Sequence, residues 1–232
     1  IKEIVGETVS LCYSMKANPF FVPAMITCVD KLEVCSPGEL TICKKLGVDA
    51  SRIIYSGVNK EIPDIKEAYE YGVGTFTAES VRQADLIQQV VETAAAGEKA
   101  EVILRLNSGS QFGMSKEDLL TILQCRESKY TSLNFTGIHY FVGTQRKRAK
   151  RKIKELQMLL ELFEEIQNKC GLKLKKLEYG PGFAVPYFED DDFEDTLYPV
   201  KELKDTLKQV AQQVDLTIEM GRFFTAECGT YY

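Results

Sequence analysis

Eight short runs of β-branched and apolar residues alternate with helix-patterned segments along the 232-residue chain, and this alternation limits the fold more than any other feature. The runs lie near residues 8–14, 32–35, 52–55, 75–77, 101–106, 135–141, 175–179 and 215–219. Strands separated by helices pair in parallel through right-handed crossovers. Eight such repeats predict an α/β chain folded as a (β/α)8 TIM-type barrel. The rival, an open doubly wound sheet, often carries a glycine fingerprint after its first strand, and none is present.

Local punctuation agrees with this reading. Ser36-Pro37-Gly38-Glu39 predicts a helix start, with a serine N-cap, proline at the first helical position and glutamate reaching back from N3. Gly47 is placed to stop that helix. Ser80 opens a longer helix that Gly97 is read to end, and Ser115 with Asp118 marks another cap. Ile153, Leu156, Leu159, Leu160, Phe163 and Ile166 share one face at helical spacing, so that segment turns its stripe inward.

The composition, 44% hydrophobic and 27% charged, is that of a soluble globular chain. No apolar run approaches the ~20 residues that cross a bilayer, and no signal peptide opens the chain. A net charge of -5 argues against nucleic acid as the main partner. The seven cysteines form no CxxC pair and no metal-ligand spacing. Most lie in apolar segments, which predicts reduced core cysteines and a cytoplasmic protein without a membrane partner. A single histidine leaves no material for a histidine-rich metal site, and no metal is expected.

In a TIM-type barrel the chemistry gathers at the C-terminal strand ends, with phosphate held after the seventh and eighth. Lys16 follows the first predicted strand and Ser36 the second. Ser56-Gly57 follows the third and Glu79 the fourth. Arg105 and Asn107 end the fifth, and His139 lies on the sixth ahead of Gly143-Thr144. Gly180-Pro181-Gly182 follows the seventh, and Glu219-Met220-Gly221-Arg222 closes the eighth. A lysine at a strand end that is stripped of water has a lowered pKa and can act as an amine nucleophile; otherwise Lys16 is a surface residue opening a loop. Gly180 and Gly182 either let backbone N–H groups form a nest for phosphate, helped by Arg222, or make a tight turn. Glu219 ends an apolar strand and requires a partner, either a ligand in the barrel mouth or Arg222.

Taken together these segments carry a resemblance. Tyr13-Ser-Met-Lys-Ala-Asn18, Cys35-Ser-Pro-Gly-Glu-Leu40, Ser110-Gln-Phe-Gly113, Gly137-Ile-His-Tyr-Phe-Val-Gly-Thr-Gln145, Leu177-Glu-Tyr-Gly-Pro-Gly-Phe183 and Glu219-Met-Gly-Arg222 stand in family order. The chain resembles the barrel domain of the pyridoxal-phosphate-dependent decarboxylases that act on diaminopimelate, ornithine, arginine and related amino acids, which share the alanine-racemase-like fold. The resemblance implies a pyridoxal 5'-phosphate-binding barrel over residues 1–222. Residues 223–232 would be a strand leading to a β-rich C-terminal domain that is absent here. Lys16 would form the Schiff base with the cofactor, and Glu219 would hold the charge on its ring nitrogen. Gly182, Thr144, Gly221 and Arg222 would hold the phosphate, Arg105 would lie near the ring's phenolic oxygen, Phe141 would pack on the ring, and His139, Gly143, Gly180 and Met220 would complete the cofactor site. It further implies an amino-acid decarboxylase, as in lysine biosynthesis, working as a homodimer on a small amino acid.

Several departures qualify the match: besides the second domain, the family's N-terminal strand is not in this sequence, and the stretch from strand five to Ser110 is short. Phe141 stands where many members place a histidine that stacks on the ring, and Pro181 removes an N–H from the glycine turn. They motivate one alternative, a non-catalytic homologue that binds or regulates a partner. A second alternative is a PLP-dependent racemase, although Glu219 favours the stronger electron sink of a decarboxylase. Phe141 and Gly143-Thr144-Gln145 also resemble members that decarboxylate carrier-bound aminoacyl groups. The basic run 146–154 is then either a solvated face or a dock for an acidic carrier protein. The acidic run 189–195 is read as a solvated loop, or as a lure for a cationic substrate.

Overall fold

The computed structural model describes residues 1–94, 97–188, 191 and 195–229. Eight strands, β1 (Ser10–Ser14), β2 (Lys31–Val34), β3 (Ile53–Tyr55), β4 (Thr75–Ala78), β5 (Ala100–Arg105), β6 (Leu133–Phe141), β7 (Lys176–Gly180) and β8 (Asp215–Met220), close into one parallel barrel in chain order. β1 pairs with both β2 and β8, so the first and last repeats are neighbours. The predicted (β/α)8 barrel is what the chain forms.

Period-2 alternation divides every strand between two environments. Leu11, Tyr13, Leu32, Val34, Val102, Leu104, Leu177, Tyr179, Leu216 and Ile218 face the helices and belong to the large apolar core. Their neighbours in sequence face the barrel axis. There the apolar filling is small, a cluster of Cys12, Ile54 and Ile103 among the described residues. Above it the interior is polar, with Ser14, Glu33, Thr77, His139, Glu178 and Glu219 all buried. A β-bulge controls one of these placements. Val102 pairs with Phe135 but Ile103 pairs with Gly137, so Thr136 is an extra residue in β6. Phe135 lies in the outer core, as do Ile138 and Tyr140. Without the bulge His139 would share the outward side of Phe135; with it, the imidazole enters the barrel. Gly137 is required next to the bulge, because a Cβ there would sit 2.0 Å from the Lys176 carbonyl oxygen.

Helices follow the strands with local adjustments. Ser36 caps helix Pro37–Lys45, but Glu39 reaches past it to the Cys35 N–H at 2.7 Å. Ser115 caps Lys116–Gln124 as predicted. Helix Val81–Thr93 starts at Ser80 but ends with Ala94 as its C-cap, so Gly97 does not terminate it. Helix Ala149–Cys170 buries Leu156, Leu159, Leu162, Phe163 and Ile166, while Ile153 and Leu160 are only partly covered. The cysteine expectation needs correction: Cys12 and Cys43 are buried, but Cys28 and Cys228 are exposed. Arg222–Thr225 is a helical turn, not the strand expected after residue 222. Its Phe223 and Phe224 pack on Phe183 and Tyr13, with ring centroids 5.2 and 6.0 Å apart. The acidic run lies largely outside the described residues; Asp191 accepts hydrogen bonds from the Tyr187 and Phe188 N–H groups. No described helix is long and apolar enough to cross a membrane.

Candidate active site

After β1 the backbone tightens into a 3-10 turn, Met15–Ala17, which ends where Asn18 extends ahead of Pro19. The turn lifts Lys16 onto the rim, where its side chain is 53% exposed. Its Nζ lies 2.9 Å from Glu33 Oε2, 3.8 Å from Glu219 Oε1 and 3.6 Å from Cys35 Sγ. Glu33 is buried and also accepts from the Ser14 hydroxyl. Burial alone would lower the Lys16 ammonium, but Glu33 and then Glu219 hold it well above the usual lysine range. The expectation of a lowered pKa is therefore wrong for the chain without a ligand: two carboxylates outweigh desolvation. Burial would raise Glu33 in turn, yet Lys16 and Ser14 keep its carboxyl well below the ordinary range.

Glu219, at the end of β8, is paired with His139 and not with Arg222: His139 Nε2 lies 2.9 Å from Glu219 Oε2. Burial lowers the imidazole, but the hydrogen bond to Glu219 and the fields of Glu178 and Glu219 outweigh it and raise its pKa. Arg222 is exposed, with its guanidinium 5.2 Å from the centroid of the Tyr187 ring. Arg105 Nη1 donates to Glu79 Oε2 at 2.7 Å and stacks over Phe112.

Two lobes open between these residues and share Lys16, Phe141 and Glu219. One, about 370 Å³, is also lined by Ser14, Thr144, Gly182, Met220, Gly221 and Arg222. The other, about 320 Å³, is lined by Glu33, Cys35, Glu79, Arg105, Phe112 and His139. A larger cavity of about 680 Å³, between helices Ile62–Tyr71 and Val81–Thr93, contains none of the predicted site residues.

The glycines of the first lobe are fixed by contact. Gly182 has φ +59, and a Cβ there would fall 1.7 Å from the Gly143 carbonyl oxygen. At Gly221 a Cβ would meet Ala17 and the Ser14 carbonyl at 3.0 Å. Gly180 differs from its neighbour: it does not line the lobe, and its missing side chain makes room for the Phe141 ring, 2.5 Å from where a Cβ would sit. Gly143 lies behind Gly182 and does not line the lobe. The structure thus brings together Lys16, Glu219, His139 and Gly182, which the sequence singles out, and adds Glu33, Ser14 and Cys35 as neighbours of the lysine. The available signal was Glu33 between Leu32 and Val34, an acid on the inward side of a strand buried on both faces.

These groups suit the expected cofactor. Pyridoxal phosphate presents an aldehyde, a basic ring nitrogen and a phosphate. The lobe offers an amine, a buried carboxylate and a glycine-walled recess beside an arginine, where added Cβ atoms would intrude. Among the described residues no His, Cys, Asp and Glu group could hold a metal.

Comparison with known proteins agrees. The family model described as pyridoxal-dependent decarboxylase, pyridoxal binding domain, matches residues 1–226. The chain is similar to the L-glutamyl-[BtrI acyl-carrier protein] decarboxylase of Niallia circulans, at 28% identity over 86% of this chain and 50% of the relative. It is also similar to the diaminopimelate decarboxylase of Aquifex aeolicus, at 26% identity over 94% of this chain and 55% of the relative. A solved structure of SrLDC in complex with PLP and cadaverine superposes with a TM-score of 0.81 at 26% identity, covering 96% of this chain and 56% of that one. The chain spans about half the length of the curated relatives it matches. With its barrel, its rim lysine and its glycine recess, the chain belongs to the pyridoxal-dependent decarboxylase family, as the pyridoxal-binding domain.

Proposed function

We propose that this chain is the cofactor-holding part of a decarboxylase that acts on an amino acid. The observation that carries the reading is the meeting of Lys16 and Glu219. An amine from the first repeat and an acid from the last lie 3.8 Å apart, at the mouth of a lobe walled by Gly182 and Gly221. When bound, pyridoxal phosphate supplies an aldehyde that captures amines and a protonated ring that accepts the electron pair left by departing CO2.

The residues then divide the work. Lys16 would hold the aldehyde end, its long half-exposed arm swinging away from Glu219 to leave room for a ring. Glu33, itself held by the Ser14 hydroxyl, anchors that arm. Glu219 would keep a proton on the ring nitrogen, and His139, buried beside it, fixes the carboxylate and supports its charge. Gly182, Gly221, Thr144 and Arg222 would take the phosphate. Phe141 offers an apolar face but no proton, so any proton returned to the substrate must come from another group. The homodimer implied by the resemblance belongs to the same proposal.

A carrier-tethered substrate is favoured by one observation. Within the run 146–154, Arg146 is pinned to Glu155 and the Pro181 carbonyl, and Lys152 is buried against the Arg146 carbonyl at 2.6 Å. Arg148, Lys150, Arg151 and Lys154 are exposed and form no ion pair among the described residues. They crowd the N-terminus of helix Ala149–Cys170, where the helix dipole disfavours cations and no side chain caps the helix. The helix starts just beyond Thr144, on the rim that holds the lobe. Such a patch suits an acidic protein that delivers a tethered aminoacyl group.

The test is CO2 release by the full-length protein with added pyridoxal phosphate, given a panel of diamino acids and carrier-bound aminoacyl substrates. Turnover of any of them, abolished in Lys16→Ala, is expected. Cofactor retention with no CO2 from the whole panel, or inversion of configuration without CO2 loss, overturns the decarboxylase reading.

A further inference from the structure

Glu178 is only 3% exposed, and neither of its carboxylate oxygens has a hydrogen-bond partner among the described residues. It sits on β7 in register with His139 on β6 and Thr217 on β8, all three turned toward the barrel axis. His139 is itself half-satisfied: Nε2 serves Glu219, while the buried Nδ1 has no partner. Two orphaned groups on adjacent strands therefore share one enclosed space, a rare condition for buried polar atoms.

The two other carboxylates that face this space already have cationic partners. The groups facing it are Cys12 from β1, Lys31 and Glu33 from β2, His139 from β6 and Glu219 from β8, with Arg105 of β5 acting on His139. Glu33 is matched by Lys16, Glu219 by His139, and Lys31 is engaged with Thr217 at 3.0 Å. A third carboxylate in that space would be stripped of water and repelled by Glu33 and Glu219, with only His139 and Lys31 to oppose them.

We propose that Glu178 keeps its proton in the folded barrel and is a positioning residue for Glu219, acting through His139. Neutral, it leaves the imidazole to Glu219 alone; ionised, it draws the imidazole's second nitrogen and loosens the hold on Glu219. The consequence for the cofactor rests on the role proposed above for Glu219, whereas the link between Glu178 and His139 does not. The electrostatics point the same way: burial, with Glu219 and Glu33, lifts the Glu178 carboxyl from an ordinary 4.5 to about 7, against the pull of His139.

His139 is the one histidine of these 232 residues, and in the full-length protein its imidazole signals are identified by their loss in His139→Gln. In cofactor-free full-length protein, nitrogen NMR of the ring is followed from about pH 5 to about pH 9, in the wild type and in Glu178→Gln. The wild-type signals are expected to step as pH passes about 7 while the ring keeps its proton. In Glu178→Gln the step vanishes, and His139 loses its proton at a lower pH than in the wild type. Melting temperature gives a second readout. The folded state binds a proton at Glu178 that the unfolded state has released, so stability falls as pH rises from 4.5 to about 7 and then levels off. Glu178→Gln is therefore expected to match the wild type near pH 5 and to melt higher above pH 7. No step in the wild type, a step that persists in the variant, or a variant less stable at every pH overturns the proposal. Pyridoxal phosphate retention, measured alongside, separates the two readings: a step abolished in Glu178→Gln, in a protein that never retains the cofactor, refutes the decarboxylase and leaves the Glu178 assignment standing.

Discussion

Replacing Glu33 by Gln tests whether the rim lysine is held protonated until a ligand arrives. Glu33 Oε2 lies 2.9 Å from Lys16 Nζ. At an effective dielectric of about 20 this separation corresponds to about 6 kcal/mol of gross attraction. Half of the lysine side chain is in water, so the net effect is reduced to about 1.5–3 kcal/mol, or about one to two pH units. Glutamine can still accept the Ser14 hydroxyl, so the packing changes little. Glu219 remains 3.8 Å away, and some elevation of the lysine persists. The neutral amine fraction below the lysine pKa should therefore rise about 10- to 100-fold. The assay is the initial rate at which cofactor-free protein captures pyridoxal phosphate, read by absorbance across pH. Glu33→Gln should raise the capture rate about 10- to 100-fold at each pH below the lysine pKa, a displacement of the profile by about one to two units toward lower pH. An unshifted profile, or capture slowed at every pH in a variant of unchanged melting temperature, would refute the reasoning.

Other substitutions probe the remaining parts of the site. Gly182→Ala places a Cβ 1.7 Å from the Gly143 carbonyl, whereas Gly171, with a similar positive φ, has open space around its Cβ position. Both variants carry about 1–2 kcal/mol of backbone strain, but only Gly182→Ala should also lose cofactor affinity, by about 10-fold or more when measured by equilibrium dialysis. Equal affinity loss in the two would contradict the recess assigned to the phosphate. Charge reversal at Arg148, Lys150, Arg151 and Lys154 should lower kcat/KM for a carrier-bound substrate about 10-fold or more at low salt, with little effect on a free amino acid. Equal losses on both substrates would remove the carrier-docking reading.

The architecture was legible because it depends on pattern: eight apolar runs, separated by capped helices, leave few alternatives. The site was legible in part for the same reason, since strand ends fix which loops share the rim. Other features depend on contacts that no single segment encodes. The bulge at Thr136 turns His139 inward, yet nothing in 135–141 distinguishes it from a regular strand. Gly180 and Gly182 read alike in sequence, but one underlies Phe141 and the other closes against Gly143. Lys16 alone predicts a desolvated amine; the sign of its shift is decided by Glu33, 17 positions away in sequence and 2.9 Å away in space. Glu39 bonds Cys35 rather than Ser36, a one-residue slip from the predicted cap that leaves the helix start unchanged.

The most direct measurement is the identity of the lysine that carries the cofactor. Full-length protein saturated with pyridoxal phosphate is reduced with borohydride, digested, and read by peptide mass spectrometry. The account predicts a single pyridoxyl label, on Lys16, that disappears in Lys16→Ala. A label on Lys60 or another lysine, or none at all in folded wild-type protein, would contradict it.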